Sequence, residues 1–208
     1  MYIPAINLEK DEDVLLSFMQ RYSFATIVNS QQDKPIATPL PFVITRKNNE
    51  LLLISHFAKA NKQWKLIDQG VSLVIFAEPH GYVSPSHYES MLSVPTWNYI
   101  AVHAYGTGRL ISEPDEINQV LEQTIGQFEE AYMLQWNSLP EDFRKKLAQG
   151  IVAFEIKVTE LQGKKKLSQN KTVSEQRSII AAFLDSPDST ERDLAGYMQD
   201  HLDHKSTL

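Results

Sequence analysis

Two prolines spaced two residues apart inside a strand-like run constrain this chain more than any other feature. Residues 36 to 44 alternate, with Ile36, Thr38, Leu40, Phe42 and Ile44 on one face of an extended segment. Pro39 and Pro41 fall in the same run. Backbone groups two residues apart point to the same side, and proline has no N–H. One side of this strand therefore cannot carry a normal ladder. The segment reads as an edge strand or as a split in a barrel, and an opening in a sheet can admit a ligand.

The surrounding pattern is mostly β. Phe24–Val28 is a short apolar strand, and Asn48-Asn49-Glu50 turns the proline strand into a second one, Leu51–Ser55. Val71–Phe76 and Ile151–Val158 read as further strands, and residues 100 to 111 as an extended stretch kinked at Gly106 and Gly108. Helices are expected from about Asp11 to Tyr22, around Ala60, Trp64 and Ile67, from Pro114 to about Met133, and from Pro140 to Gln149. Two more, Ser174–Leu184 and about Ser189–Leu202, close the chain. Glu78–Tyr99 reads as a long ordered loop, rich in proline and aromatic residues, of a kind that is more often functional than idle. Strands follow strands with few strand–helix–strand units, which predicts an α+β fold with antiparallel sheet.

Composition narrows the function classes. At 208 residues the chain makes one generous domain, or a domain and an appendage. It has no cysteine, which excludes disulfides, thiolate metal sites and cysteine nucleophiles. A net charge of −6 opposes general nucleic-acid binding, because phosphate neutralisation supplies such affinity. No apolar run approaches membrane-spanning length, and Met1-Tyr2-Ile3-Pro4 lacks the basic and apolar regions of a secretory signal. A cytoplasmic protein with no membrane partner is the expectation. No metal-ligand spacing, phosphate-binding glycine loop or readable catalytic triad is present, so no catalytic or metal residue is assigned.

Several words of the sequence occur together in a known family. They are Met1-Tyr2-Ile3-Pro4, His56-Phe57-Ala58-Lys59-Ala60-Asn61 with Trp64, Tyr82-Val83-Ser84-Pro85-Ser86 with Tyr88, Val94-Pro95-Thr96-Trp97-Asn98-Tyr99, Val102-His103, and Lys166-Leu167-Ser168-Gln169-Asn170. With these the chain resembles the PaiB family of FMN-binding negative transcriptional regulators, over residues 1 to about 171. The resemblance implies an antiparallel split β-barrel of the FMN-binding type over residues 1–171, flanking helices, and a helical C-terminal extension over 172–208. It also implies a homodimer with FMN held between two subunits, and promoter DNA as a partner. Three positions depart from the pattern: Lys62 stands for proline, His87 for tryptophan and Lys171 for arginine. The second removes a stacking surface, and the third keeps the charge but loses the planar fork.

FMN combines a dianionic phosphate, a polar ribityl chain and a flat ring, so its site needs charge, donors and an apolar slot. His56, Lys59, Ala60 and Asn61, at a strand end feeding a helix start, are candidates for the phosphate. Trp64 belongs to the core on the same reading. Tyr82, Ser84, Trp97 and Asn98 either line the ring slot or seal a dimer interface. The basic cluster of Lys164, Lys165 and Lys166 with Lys171 either holds the FMN phosphate from a neighbouring subunit, touches DNA phosphate, or is a solvated turn, the last being the reading for Lys164 and Lys165. Gln169 and Asn170, in one word with Lys166 and Ser168, either donate to the flavin ring or cap local backbone. Residues 174 to 208 carry seven acidic and three basic side chains, a net of −4, which suits a packing arm better than a DNA-reading helix pair. Two alternatives stay open on the same barrel: a flavin-dependent oxidoreductase, or a flavin-less or haem-binding module in which His56 or His103 is a ligand.

Overall fold

The structure is a computed structural model that describes residues 1–205, with side chains through residue 203. In chain order the elements are β1 (Leu8–Glu9), α1 (Glu12–Arg21), β2 (Phe24–Gln31), β3 (Lys34–Pro41), β4 (Val43–Lys47) and β5 (Glu50–Ala58). Then come β6 (Val71–Phe76), β7 (His80–Val83), β8 (Thr96–Ile111), α2 (Pro114–Phe128), α3 (Met133–Ser138) and α4 (Glu141–Ala148). The chain ends with β9 (Ile151–Lys166), α5 (Val173–Leu184) and α6 (Ser189–Lys205). It divides into two compact units. Unit one holds residues 1–11, 77–102 and the chain from 162 onward; unit two holds residues 12–76 and 103–161. The long strands β8 and β9 have residues in both.

Unit two carries the sheet path β3-β2-β6-β8-β9-β5-β4. The strands at its two ends, β3 and β4, are joined by Phe42 alone. Laid flat, seven strands would separate those edges by roughly 29 Å, far more than one residue can span. The sheet must therefore curl until its edges meet, which makes the antiparallel split barrel. The edges meet without a ladder for the reason visible in the sequence. Pro35, Pro39 and Pro41 stand opposite Ser30, Thr26 and Phe24 of β2. The β2 ladder can run past them only through Ile36, Thr38 and Leu40, so the proline nitrogens face the unpaired edge.

Aromatic side chains fill the interior of unit two. Phe42, Phe57, Phe76 and Phe154 are fully buried, and Phe57 stacks on Phe154 at 4.9 Å. Leu15, Phe18 and Met19 of α1 are buried as well. The helix expected around Ala60, Trp64 and Ile67 is only a 3-10 turn, Lys62–Leu66. Of the expected stripe Ala60 is exposed, Trp64 half-buried and Ile67 fully buried; Gln63 and Leu66 are buried as well. The Gln63 amide donates to the Ile27 and Ile36 carbonyls and to Asn29 Oδ1 at 3.2, 3.1 and 3.0 Å. A polar hub at β2 and β3 thus sits beside the buried Leu66 and Ile67. Strand β8 runs unbroken, so Gly106 and Gly108 make no kink. A Cβ on Gly106 would collide with the Lys157 carbonyl oxygen, and one on Gly108 with Ile67. These glycines permit close backbone approach. Helix α2 stops at Phe128 rather than Met133, because Glu129 leaves helical geometry at φ −156°.

Unit one is built on the other ends of β8 and β9. Strand β7 pairs with β8, in register His80↔Tyr99 to Val83↔Thr96, so the expected long loop is partly a hairpin. Strand β1 pairs with β9 through Leu8↔Lys164 and Glu9↔Gly163, and β9 continues eight residues past the expected end at Val158. Helix α5 opens with a capping box between Thr172 and Glu175, and Phe183 on its buried face packs where a Cβ on Gly81 would sit, 2.8 Å away.

Replacing Gly106 with alanine forces β8 off Lys157 and is expected to cost about 1–3 kcal/mol, lowering the melting midpoint by several degrees. Gly70→Ala, where nothing lies within 4 Å of the new methyl, is the control and is expected to leave the midpoint nearly unchanged. Differential scanning calorimetry of the two variants distinguishes tight backbone approach from general loss of glycine flexibility.

Candidate functional site

The turn that follows β9 is held by its own side chains. Ser168 takes a left-handed backbone at φ 61°, uncommon for a residue with a Cβ. Its hydroxyl donates to Asn98 Oδ1 at 3.0 Å, and its carbonyl accepts from Lys171 N. Gln169 closes the turn from both ends: its amide nitrogen donates to the Lys165 carbonyl and its oxygen accepts from Leu167 N at 2.7 Å. Asn98, fully buried on β8, also donates to Met198 Sδ of α6 at 3.5 Å. Lys166 Nζ donates to Thr96 Oγ1 and to the Trp97 carbonyl. The expected residues Asn98, Lys166, Ser168, Gln169 and Asn170 therefore converge, and all five line one cavity of about 440 Å³ within unit one.

The electrostatics of this cavity are one-sided. Lys166 and Lys171 line it, and no aspartate or glutamate does. Lys164 and Lys165 are not solvated, contrary to the sequence expectation. Lys164 is buried between the rings of Tyr2 and Tyr99, 5.9 and 5.1 Å from their centres, and donates to the Tyr2 carbonyl at 3.2 Å. Lys165 pairs with Glu9 at 2.8 Å. Burial pushes the Glu9 carboxyl up, but Lys165 and the Asp11 and Lys10 amides outweigh it and hold the carboxyl below its usual range. Burial, then repulsion from Lys164, lowers the Lys166 ammonium. Lys171 sits 3.6 Å from the centre of the Tyr88 ring. Tyr88 lines the cavity, while its hydroxyl is buried out of reach of solvent and has no hydrogen-bond partner; burial, then the Glu175 charge, raises its pKa. Tyr88 stood in a recognisable sequence word, but nothing in the sequence distinguished it from a core tyrosine.

The other expected residues fall elsewhere. Tyr82 and Trp97 are exposed cross-strand partners on β7 and β8 with rings 5.8 Å apart. Ser84 caps a short turn, accepting from Ser86 N and Oγ. His56, Lys59, Ala60 and Asn61 belong to unit two, at the end of β5. Asn61 accepts from Gln63 N and donates to Thr38 Oγ1, both at 3.0 Å, so its amide is spent on capping. With a 3-10 turn in place of a helix, no helix dipole aids an anion there. The exposed Lys59 ammonium supplies the charge at this end, beside a cavity of about 390 Å³ that also meets α2 and α4. Among the described residues no helix is long and apolar enough to cross a membrane, and no group of three or more His, Cys, Asp or Glu side chains gathers to hold a metal ion.

Unit two is an antiparallel split barrel, and unit one holds an acid-free, donor-rich cavity suited to an anionic organic group. The chain belongs to the family described as "Putative FMN-binding domain", whose model matches residues 1–160, and to the PaiB family within it. It is 35% identical over 205 residues, 97% of this chain and 98% of the relative, to the protease synthase and sporulation protein PAI 2 of Bacillus subtilis. Among solved structures it resembles an FAD and haem binding protein of Mycobacterium smegmatis (TM-score 0.61, 16% identity, 85% of this chain and 80% of that one). It also resembles the flavocytochrome Anf3 of Azotobacter vinelandii (TM-score 0.59, 15% identity, 76% and 68%). These two likenesses are of fold. FMN is the cofactor of this family and of this chain. The residues present fit such a group: the exposed Lys59 ammonium can meet its phosphate, and the unit-one cavity, partly walled by Pro4, Ile6, Val94 and Pro95, has room for a flat ring. When bound, FMN supplies one- or two-electron redox chemistry at its ring.

Burial lowers the pKa of His56, and likewise that of His103. A histidine depressed in the folded state binds fewer protons there than when unfolded. Its stability contribution is therefore complete above the ordinary value of about 6.5 and is lost as pH falls through it. Thermal midpoints measured from pH 8 to 5 should drop on the acid side, and His56→Gln should flatten that drop. An unchanged acid slope in the variant would mean that His56 is solvated in the folded protein.

Proposed function

We propose that this chain is a cytoplasmic, homodimeric, FMN-dependent negative transcriptional regulator of the PaiB type. One observation carries the reading: the kinship with PAI 2, a protein named for protease synthesis and sporulation, extends over nearly the whole of both chains. A regulator, rather than a shared cofactor module alone, accounts for likeness over that length. In this reading the phosphate is held at the end of β5, by Lys59 with His56, Ala60 and Asn61 shaping the strand end. The partner subunit's cavity receives the ring end, between the flat side chains Tyr82 and Trp97 and the turn of Ser168, Gln169 and Asn170. Asn98 and Ser84 brace these elements, and Lys166 adds charge.

A second copy is supported by what unit one leaves uncovered. Met91 and Leu92 are 97% and 98% exposed, and Tyr2, Val94 and Trp97 are exposed as well. So much bare apolar surface in one unit is costly in water and fits an interface with another chain. Any DNA contact lies outside α5 and α6, since that segment is acidic.

Purified full-length protein should carry flavin absorption bands, and Lys59→Ala should weaken FMN retention by about tenfold, the cost of one charge-assisted contact. Sedimentation should give a dimer that Met91→Ser with Leu92→Ser shifts toward monomer. A salt-sensitive gel shift on the chain's own promoter region checks regulation. No shift at low salt, together with flavin reduction by a nicotinamide donor, would instead make the protein a reductase.

A further inference from the structure

The cofactor reading leaves a charge unanswered. FMN carries its negative charge at the phosphate, and its oxidised ring is neutral. If the phosphate is held near Lys59, the ring end reaching unit one brings no anion to Lys166. Yet Lys166 lies in a cavity without a carboxylate. Its visible acceptors, Thr96 Oγ1 and the Trp97 carbonyl, are uncharged oxygens. The nearby acids are engaged: Glu9 pairs with Lys165, and Glu175 accepts from the Thr172 and Glu89 amides and lies close enough to Lys171 to feel its charge. A half-buried ammonium held only by neutral oxygens is expensive and is relieved by an anion. One part of the wall is apolar, from Pro4, Ile6, Val94 and Pro95. The residues that carry Lys166 and its turn also lie beyond residues 1–160, the part matched to the FMN-binding family.

We propose that the unit-one cavity binds a second ligand, a small organic oxyanion on an apolar or aromatic body, anchored by the Lys166 ammonium. The inference rests on the cofactor reading above, in that FMN leaves this end uncharged. Such a ligand is an effector or a substrate of the flavin; in either role its acid group meets Lys166 and its body meets the apolar wall. A neutral analogue of the same shape gains only the wall.

Titration of the full-length, FMN-loaded protein with benzoate and with phenyl phosphate tests this, read by calorimetry and by the flavin spectrum, with benzyl alcohol as the neutral control. The expected result is saturable binding of at least one anion without release of FMN, and at least tenfold weaker binding of benzyl alcohol. Lys166→Met should weaken anion binding by about tenfold or more, and Lys166→Arg should restore part of it. Equal binding to the parent and Lys166→Met proteins overturns the proposal. So does failure of both anions to bind, or stoichiometric displacement of FMN by either, which would make the cavity the cofactor's own phosphate site. If the protein retains no FMN but still binds benzoate through Lys166, the cofactor reading fails and the anion site stands.

Discussion

Proline has no amide proton, and three prolines on alternate positions of β3 turn their nitrogens to the same side. That side cannot be laddered, so β3 must end the sheet path. The single residue Phe42 then carries the chain across to the other edge strand, and its buried ring meets Phe76 and Phe154 at 6.2 and 6.3 Å. Closure without pairing and an aromatic interior are thus two consequences of one local constraint. Gln63 completes it, supplying from a side chain the donors that tie β3 back to β2.

The distribution of charge is the second organising fact. The chain is acidic overall, yet unit one gathers Lys164, Lys165, Lys166 and Lys171 around one turn. Each is answered differently: by tyrosine rings, by Glu9, by neutral oxygens, and by the Tyr88 ring. A solvated basic loop would scatter such residues into water. Here they are drawn inward, which concentrates positive potential where the cavity opens. At Lys171 the departure from arginine matters little for this purpose, because a point charge over a ring face does not need a planar fork.

Much of this was legible along the chain and some was not. The edge-forming prolines, the turn at Asn48-Asn49, helices α1, α5 and α6, and the lysine and amide word at 166–170 are visible as local pattern, but the proline strand expected to hairpin with Leu51–Ser55 ends at Pro41 and pairs with β2, and the separate strand β4 pairs with β5. The 3-10 turn at Lys62–Leu66 was misread as a helix because Ala60, Trp64 and Ile67 have helical spacing. Only the neighbouring strands reveal that Gln63 is buried with Leu66 and Ile67. Likewise β7 is hidden in a proline-rich segment, since four residues gain strand character only from pairing with β8. Ser84, Asn61 and Gln169 look like free polar groups in a sequence, yet Ser84 accepts from Ser86, Asn61 meets Gln63 N and Thr38 Oγ1, and Gln169 meets the Lys165 carbonyl and Leu167 N.

By itself, the sequence determined the class of fold, the broken edge of the barrel, the family and the cofactor, because these depend on periodicity, on the missing proline N–H, and on words read in order. Only the tertiary structure decided which side chains share a cavity, that no carboxylate enters it, and that Lys171 lies over the Tyr88 ring. Those properties arise between segments some eighty residues apart, Tyr88 on one side and Lys166 to Lys171 on the other. Charge and hydrogen bonding act through space, and spacing along the chain carries no record of who faces whom.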